Sequence, residues 1–361
     1  MAARKYYDWQ ATLSRQTGTQ GEFCIVVGAK NIGKTFGIRK QCVQDFLKRG
    51  ERFCEICRTK DEKKQVSQGY FDKFKAMGLF TDYIFKTTQN AGYIAREPIE
   101  DDDGKYIEKP DWQLICYFVS LTTFQTEKKR TYTGIKRFIF DEAIIDRKDR
   151  YHRYLPDEYL ILANILDSIS RQQPNSDYIY RVYILGNACD LTCPYLRYLG
   201  INQIPEYGYS FWNDKHTLLH YVEPWDAEDM KANTLVGRML NGLEESDMVF
   251  GNVFSTSNTS DIAKKTKDAR FMFGVIYNNN TFGLWVDYKQ SLTFVSSKVP
   301  KDSDNIIALT KADMTIDFLA VERTSSYLRS INRMFYSGLL RYETPVIKEL
   351  FLHVLNFLGI K

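Results

Sequence analysis

Residues Gly28-Ala29-Lys30-Asn31-Ile32-Gly33-Lys34-Thr35 satisfy the pattern G-x-x-x-x-G-K-[ST] at every fixed position. Few sequence features restrict a fold as strongly, because the motif works only between a strand and a helix. The flanks meet that condition. Phe23-Cys24-Ile25-Val26-Val27 is a short apolar run that reads as a buried strand. Beyond the motif, Ile38, Cys42, Val43, Phe46 and Leu47 recur at helical spacing, and Gly50 stands where that helix is expected to stop. The glycines let the backbone approach phosphates, and the helix N-terminus points N–H groups at the anion. Lys34 is expected to reach the β- and γ-phosphates and Thr35 to hold Mg²⁺.

A phosphate loop of this type needs a carboxylate at the end of another strand. Phe138-Ile139-Phe140-Asp141-Glu142 supplies one, with Asp141 as the second Mg²⁺ ligand. The adjacent Glu142 is expected to polarise the attacking water. GTPases carry D-x-x-G at this place, whereas Ala143 and Ile144 follow here, so the expected nucleotide is ATP. Thr310-Lys311-Ala312-Asp313 mimics a guanine-recognition T-K-x-D, but it falls in the wrong domain and is discounted. Asn187 ends another apolar strand, Tyr183-Ile184-Leu185-Gly186, and is either a γ-phosphate sensor or a turn asparagine. Arg171 follows the helix expected over Asp157–Ser170. It is either a cap favoured by the helix dipole or a finger reaching a neighbouring subunit. Arg39, in the helix after the loop, is expected to point away from the site.

The 361-residue chain is long enough for two or three domains, and 44% apolar residues support real cores. Strands alternate with helices up to about Pro205, which argues for a parallel sheet covered on both faces. That part includes strands over Arg52–Arg58, Trp112–Leu121, Phe138–Phe140 and Tyr180–Leu185. It also includes a helix over Gly69–Gly78 and a hairpin over Tyr93–Ile107 turning at Asp103-Gly104. Leu160, Ile161, Ile165 and Ile169 form the apolar stripe of the Asp157–Ser170 helix. Asp226–Val249 reads as polar and helical, and Asn252–Thr259 as a linker. Short strands over Phe271–Tyr277, Phe282–Tyr288 and Leu292–Ser296 form an antiparallel meander. Helices over Tyr327–Leu340 and Val346–Leu358 close the chain.

Net charge is +4, which permits a nucleic-acid partner without demanding one. Lys128-Lys129-Arg130 and Lys264-Lys265-Thr266-Lys267 are candidate DNA-contacting surfaces or solvated loops. The seven cysteines are scattered, and Cys54-x-x-Cys57 lacks the second half of a zinc site. They read as structural, in a reducing compartment. The start is polar and no apolar run approaches the ~18 residues of a membrane span, so an intracellular protein with no membrane partner is expected. The aromatic arm Tyr6, Tyr7 and Trp9 either wraps the nucleotide base or packs on the sheet.

Gly28–Thr35, Phe140-Asp141-Glu142, Gly186-Asn187-Ala188, Phe282-Gly283-Leu284-Trp285-Val286-Asp287 and Gly338-Leu339-Leu340-Arg341-Tyr342 occur in the order found in one family. The chain resembles the DNA encapsidation proteins, or genome-packaging ATPases, of small tailed phages with protein-primed replication, and it does so over nearly its whole length. The resemblance implies an α/β fold: an N-terminal P-loop NTPase domain of the catalytic-glutamate (ASCE) type over 1–205, a linker region over 206–260, and a C-terminal α+β, RNase H-like domain over 261–361. It also implies ATP and Mg²⁺ as cofactors, and a homo-oligomeric ring, pentameric in that family. The ring would dock at the portal of a prohead in the host cytoplasm and drive double-stranded DNA inward, with a structural RNA as a further partner. By position, Lys60, Lys128 and Arg171 fall where the family has basic residues acting at the subunit boundary. The C-terminal domain reads as a vestigial nuclease, since its first strand ends Gly274-Val275-Ile276-Tyr277 without an acid and Asp287 stands nearly alone. Two alternatives stay open: a packaging endonuclease using Asp287 with Asp313 or Asp317, and a nucleotide-gated DNA-binding scaffold.

Overall fold

The computed structural model describes residues 6–98, 109–127, 129–145, 153–173, 179–201, 205–224, 233–240, 252, 260–301, 303, 305–314, 319–320 and 326–360. The chain divides into two compact units. The first takes 1–189 and 206–253, and the second takes 190–205 and 254–361.

In the first unit, nine strands among the described residues form one sheet. They are β1 (Phe23–Val27), β2 (Arg52–Cys57), β3 (Tyr83–Thr87), β4 (Ala91–Arg96), β5 (Gln113–Ser120), β6 (Ile135–Phe140), β7 (Arg181–Gly186), β8 (Gly208–Trp212) and β9 (Thr217–Tyr221). Their order across the sheet is β3-β4-β5-β2-β6-β7-β1-β9-β8. The six from β5 to β9 in that order are mutually parallel, and the hairpin partners β3–β4 and β8 close the two edges antiparallel. Continuous apolar runs explain the parallel centre: four of the five β1 residues are buried, because helices or loops cover both faces.

Among the described residues before 205, the helices of this unit are α1 (Trp9–Leu13), α2 (Lys34–Arg49), α3 (Lys60–Ser67), α4 (Asp72–Ala76), α5 (Phe124–Glu127) and α6 (Glu158–Ser170). α2 buries Ile38, Cys42, Val43 and Phe46 against Cys24, Val26, Phe53, Ile139, Tyr183 and Leu185. Each such side chain contributes roughly 1.5–3 kcal/mol on burial. Gly50 ends α2 at φ +70°, its N–H bonded to the Phe46 carbonyl, as the glycine in that position leads one to expect. On α6 the buried stripe is Leu162, Ile165 and Ile169.

Several expectations are corrected. Leu160 of α6 is exposed rather than part of the stripe. The helix expected over Gly69–Gly78 shrinks to α4, because Gly69 and Gly78 both take positive φ and turn the chain. The first domain does not end at 205. β8 and β9, placed in the linker region 206–260, extend the sheet beside β1, with Val27 opposite Tyr221. Their connection passes through Asn213, Asp214 and Lys215, all at positive φ. Asn252, read as the start of a linker, is buried at the end of β1. Pairing with a strand nearly 200 residues earlier leaves no local periodicity to read. The Asp103-Gly104 turn lies outside the described residues, as does most of Asp226–Val249, of which Leu235–Met239 is helical.

Among the described residues, the second unit has six strands: β10 (Arg270–Tyr277), β11 (Asn280–Asp287), β12 (Leu292–Ser296), β13 (Ile306–Ala308), β14 (Leu319–Ala320) and β15 (Leu340–Tyr342). The order is β14-β13-β10-β11-β12-β15, with an antiparallel β10–β11–β12 meander and β13 and β14 parallel to β10. That is the RNase H-like arrangement, with β15 added parallel to β12. The helix expected over Tyr327–Leu340 stops at Tyr336, because Gly338 at φ +66° turns the chain into β15. The helices Ser326–Tyr336 and Pro345–Phe357 pack Leu328, Ile331, Phe351 and Val354 against Phe273, Phe282 and Leu284. Among the described residues, no helix is long and apolar enough to cross a membrane.

Candidate active site

The register aligns the C-terminal ends of β1, β6 and β7, so Gly28, Asp141 and Asn187 leave the sheet on one edge. β7 lies between β1 and β6, which places Asn187 beside the phosphate loop and the Asp141 strand one position further away. The loop is wound tightly. Asn31 and Gly33 have φ of +64° and +87°, and the positive φ at Gly33 is one that glycine adopts without strain.

Lys34 opens α2 and is buried. Its Nζ donates to the carbonyls of Gly28 at 2.7 Å and Ala29 at 2.8 Å, and to Asn187 Oδ1 at 3.1 Å. These three acceptors hold the ammonium at the centre of the loop. Burial pulls its pKa down to about 8 against the opposing pull of the Asp141 carboxylate. Lys30 and Asn31 are exposed on the loop, Ala29 is buried, and Ile32 and Thr35 are half-buried. Thr35, in the first turn of α2, and Asp141 offer hard oxygen donors of the kind Mg²⁺ takes.

The Asp141–Glu142 turn is held on several sides. Glu142 N–H donates to Asp141 Oδ1 at 3.0 Å, and Ala143 N–H donates to the Leu185 carbonyl at 2.9 Å. Glu142 is exposed and has φ +49°, a left-handed conformation that a non-glycine residue keeps only when its surroundings impose it.

Arg39 does not point away. Its guanidinium pairs with the buried Glu55 of β2 and lies 3.9 Å from Asp141 Oδ2. Tyr70 O–H donates to the other Glu55 oxygen at 2.7 Å. Burial pushes the Glu55 carboxyl up while Arg39 opposes. The i+4 spacing from Thr35 was a signal that Arg39 shares the sheet-facing side of α2.

Arg171 is not brought to this site within the chain. α6 starts near the Glu142 turn and runs 13 residues, about 20 Å at 1.5 Å per residue, before Arg171 follows it. There the Arg171 side chain is 77% exposed and bridges Asp167. Lys60 is exposed at the first position of α3, on the same sheet edge as the phosphate loop. Lys128 lies outside the described residues.

The aromatic arm packs inward. Tyr7 and Trp9 are buried, Trp9 Nε1 donates to the Lys34 carbonyl at 2.8 Å, and only Tyr6 remains exposed, beside Gly33. Asn252 Nδ2 donates to the carbonyls of Val27 and Val222 at 3.2 and 2.8 Å.

In the second unit, Asp287 accepts from Thr266, Lys289 and Gln290, and Asp313 from Asn278, Asn279 and Thr310. These contacts lie at opposite ends of β11, about 23 Å apart along an eight-residue strand. Asp287 and Asp313 therefore do not form a two-metal site, whose ions sit about 4 Å apart. Asp317 lies outside the described residues. Thr310 and Asp313 cap a short 3₁₀ turn, which accounts for the T-K-x-D match.

The DNA packaging protein of Bacillus phage B103 is 28% identical over 328 residues, covering 90% of this chain and 94% of the relative. That of Bacillus phage phi29 is 27% identical over 90% of this chain and 91% of its own. The bacteriophage Phi-29 viral genome packaging motor assembly contains a chain with the same fold, at a TM-score of 0.71 and 23% identity, covering 98% of this chain and 99% of that one. A model of the Podovirus DNA encapsidation protein (Gp16) family matches residues 1–357, and the chain belongs to that family.

Proposed function

We propose that this chain is the ATPase of a viral DNA-packaging motor, hydrolysing ATP to translocate double-stranded DNA into a preformed prohead. The observation that carries the reading is the convergence of Lys34 and Asn187 beside the Asp141–Glu142 turn. Lys34 neutralises the β- and γ-phosphates. Thr35 and Asp141 hold Mg²⁺, which supplies charge stabilisation to the transferring phosphoryl group. Glu142 orients the attacking water, and Asn187, already bonded to Lys34, registers the γ-phosphate. Phosphoryl transfer spreads charge over the γ-phosphate oxygens, and an arginine there accelerates it by roughly 10³–10⁵. Arg171 sits too far along α6 to serve its own site, which supports a finger given to a neighbour in a homo-oligomeric ring. Lys60 and Lys128 act at that same subunit boundary. The partners are the prohead portal, DNA, a structural RNA and further copies of the chain, in a pentamer at the portal vertex in the host cytoplasm.

The test is ATPase rate against protein concentration, with and without duplex DNA and proheads. The reading expects a rate per subunit that rises with concentration and is stimulated by DNA and proheads. A rate indifferent to all three would favour a scaffold whose ATPase is incidental. The nuclease alternative loses its Asp287–Asp313 pair to the length of β11.

A further inference from the structure

Arg58 follows β2 directly and is only 6% exposed. Its Nε and Nη2 grip both oxygens of Glu158, at 2.9 and 3.1 Å, in the first turn of α6. The same Nη2 donates to the Ala143 carbonyl at 2.9 Å, and Nη1 reaches the Glu142 carbonyl at 3.5 Å. Phe140, the last residue of β6, lies 5.3 Å from the guanidinium, and Tyr154 lies 5.7 Å away. The Tyr154 hydroxyl accepts from Ile145 N–H at 2.9 Å. The backbone that carries Glu142 is thus fastened by one buried arginine to β2 and to α6.

We propose that Arg58 is the positioning residue for Glu142: it holds the catalytic turn in its left-handed backbone conformation and so fixes where the exposed carboxylate projects. This rests on the reading of Glu142 as the group that orients water. Glu142 makes its own side chain available to solvent and substrate, so its direction is set by its backbone. A φ of +49° is unfavourable for glutamate, and the carbonyls of Glu142 and Ala143 are what Arg58 holds. Without that hold the turn relaxes toward negative φ and the carboxylate swings away. A 1 Å misplacement costs on the order of 10²-fold in rate. Arginine suits the task because its planar fork serves a carboxylate on one side and carbonyls on the other. A lysine keeps the charge facing Glu158 but cannot make all of these bonds.

The experiment uses the full chain in its ring-forming conditions. Arg58→Lys is expected to lower kcat by roughly tenfold or more, with KM and the equilibrium affinity for a fluorescent ATP analogue within about twofold. In a Glu142→Gln background the same change should lower the residual single-turnover rate no further, because the group it positions is gone. An unchanged kcat overturns the proposal. So does an affinity loss as large as the kcat loss, or an equal penalty in both backgrounds. If Arg58→Lys fails to fold, Glu158→Gln decides. It leaves Arg58 its carbonyl bonds but weakens its anchor, so a smaller kcat loss at constant KM supports the proposal and wild-type kcat overturns it. Glu142→Gln alone reports on the underlying reading: if that variant turns over at the wild-type rate, the role of Glu142 falls and that of Arg58 with it.

Discussion

Replacing Asn252 by alanine removes two hydrogen bonds at the root of the phosphate loop. Asn252 Nδ2 donates to Val27 O at 3.2 Å and to Val222 O at 2.8 Å in a fully buried position. The Val27 carbonyl keeps the N–H of Val222, at 2.8 Å, so its loss is one ordinary bond, about 1 kcal/mol. The Val222 carbonyl loses its amide partner in a buried site, at roughly 1–3 kcal/mol. The total is about 2–4 kcal/mol. For a unit of this size each kcal/mol lowers the melting temperature by about 2–4 °C, so the drop should fall at roughly 4–16 °C. Asn252→Asp should be worse, since a carboxylate cannot donate and would face two carbonyls as an unpaired buried charge. Scanning calorimetry of the full chain, with denaturant unfolding alongside, measures both. A change below about 0.5 kcal/mol for Asn252→Ala, or an aspartate no worse than alanine, would refute the reasoning. Asn252 would then be a linker residue lying over the sheet.

Gly37→Ala drives a Cβ into the Trp9 indole. It should displace the indole that bonds the Lys34 carbonyl, costing roughly 1–3 kcal/mol of overpacking and weakening ATP binding; melting curves and ATP titration check both. His220 Nδ1 and the Tyr7 hydroxyl share a hydrogen bond of 2.7 Å, the ring stacks on Tyr209, and Arg15 caps the Tyr209 ring. Burial lowers the His220 pKa from 6.5 to about 4. The unfolded chain therefore binds a proton there that the folded chain does not between these values, so stability should be lost as pH falls from 6.5 toward 4. His220→Gln should flatten that part of a melting-temperature profile against pH. Asp313→Ala unpins the Asn278–Asn279 turn and should cost about 1.5–3 kcal/mol, seen by denaturant unfolding, while the rate of ATP hydrolysis stays at the wild-type level.

The elements built from local motifs are legible in the sequence. The phosphate loop, β1, α2 and the Asp141–Glu142 strand end are contiguous motifs whose periods and flanking glycines encode their own structure. The β10–β11–β12 meander was equally visible, through its alternating apolar residues and the Asn278-Asn279-Asn280 turn. What escaped depends on partners far along the chain. β9 pairs with β1 across nearly 200 residues, and Asn252 finds Val27 across 225, so neither leaves a periodic trace. Arg39 is expected to point away and Arg58 reads only as the end of a strand, because their partners, Glu55 and Glu158, lie on a strand 16 residues on and on a helix 100 residues away. Tyr7 and Trp9 had two readings at the sequence level, and burial against Tyr183 and His220 settled them as core. The motif predicts a phosphate role for Lys34, but its bond to Asn187 depends on β7 lying beside β1, which no local pattern encodes.

The central claim is that each site is completed by a neighbour. It is tested most directly by mixing two inactive full-length proteins, Glu142→Gln and Arg171→Ala, and measuring ATPase rate with DNA and proheads across mixing ratios. On this account, a subunit with intact Glu142 beside a neighbour with intact Arg171 forms a complete site. Random assembly at equal amounts makes such pairs at about a quarter of the interfaces of a head-to-tail ring. The account predicts that activity returns on mixing, is largest near equal amounts, and vanishes at either pure end. No recovery at any ratio, with co-assembly of the two variants demonstrated by pull-down of differently tagged chains, would contradict it and leave Arg171 as a helix-end residue paired with Asp167.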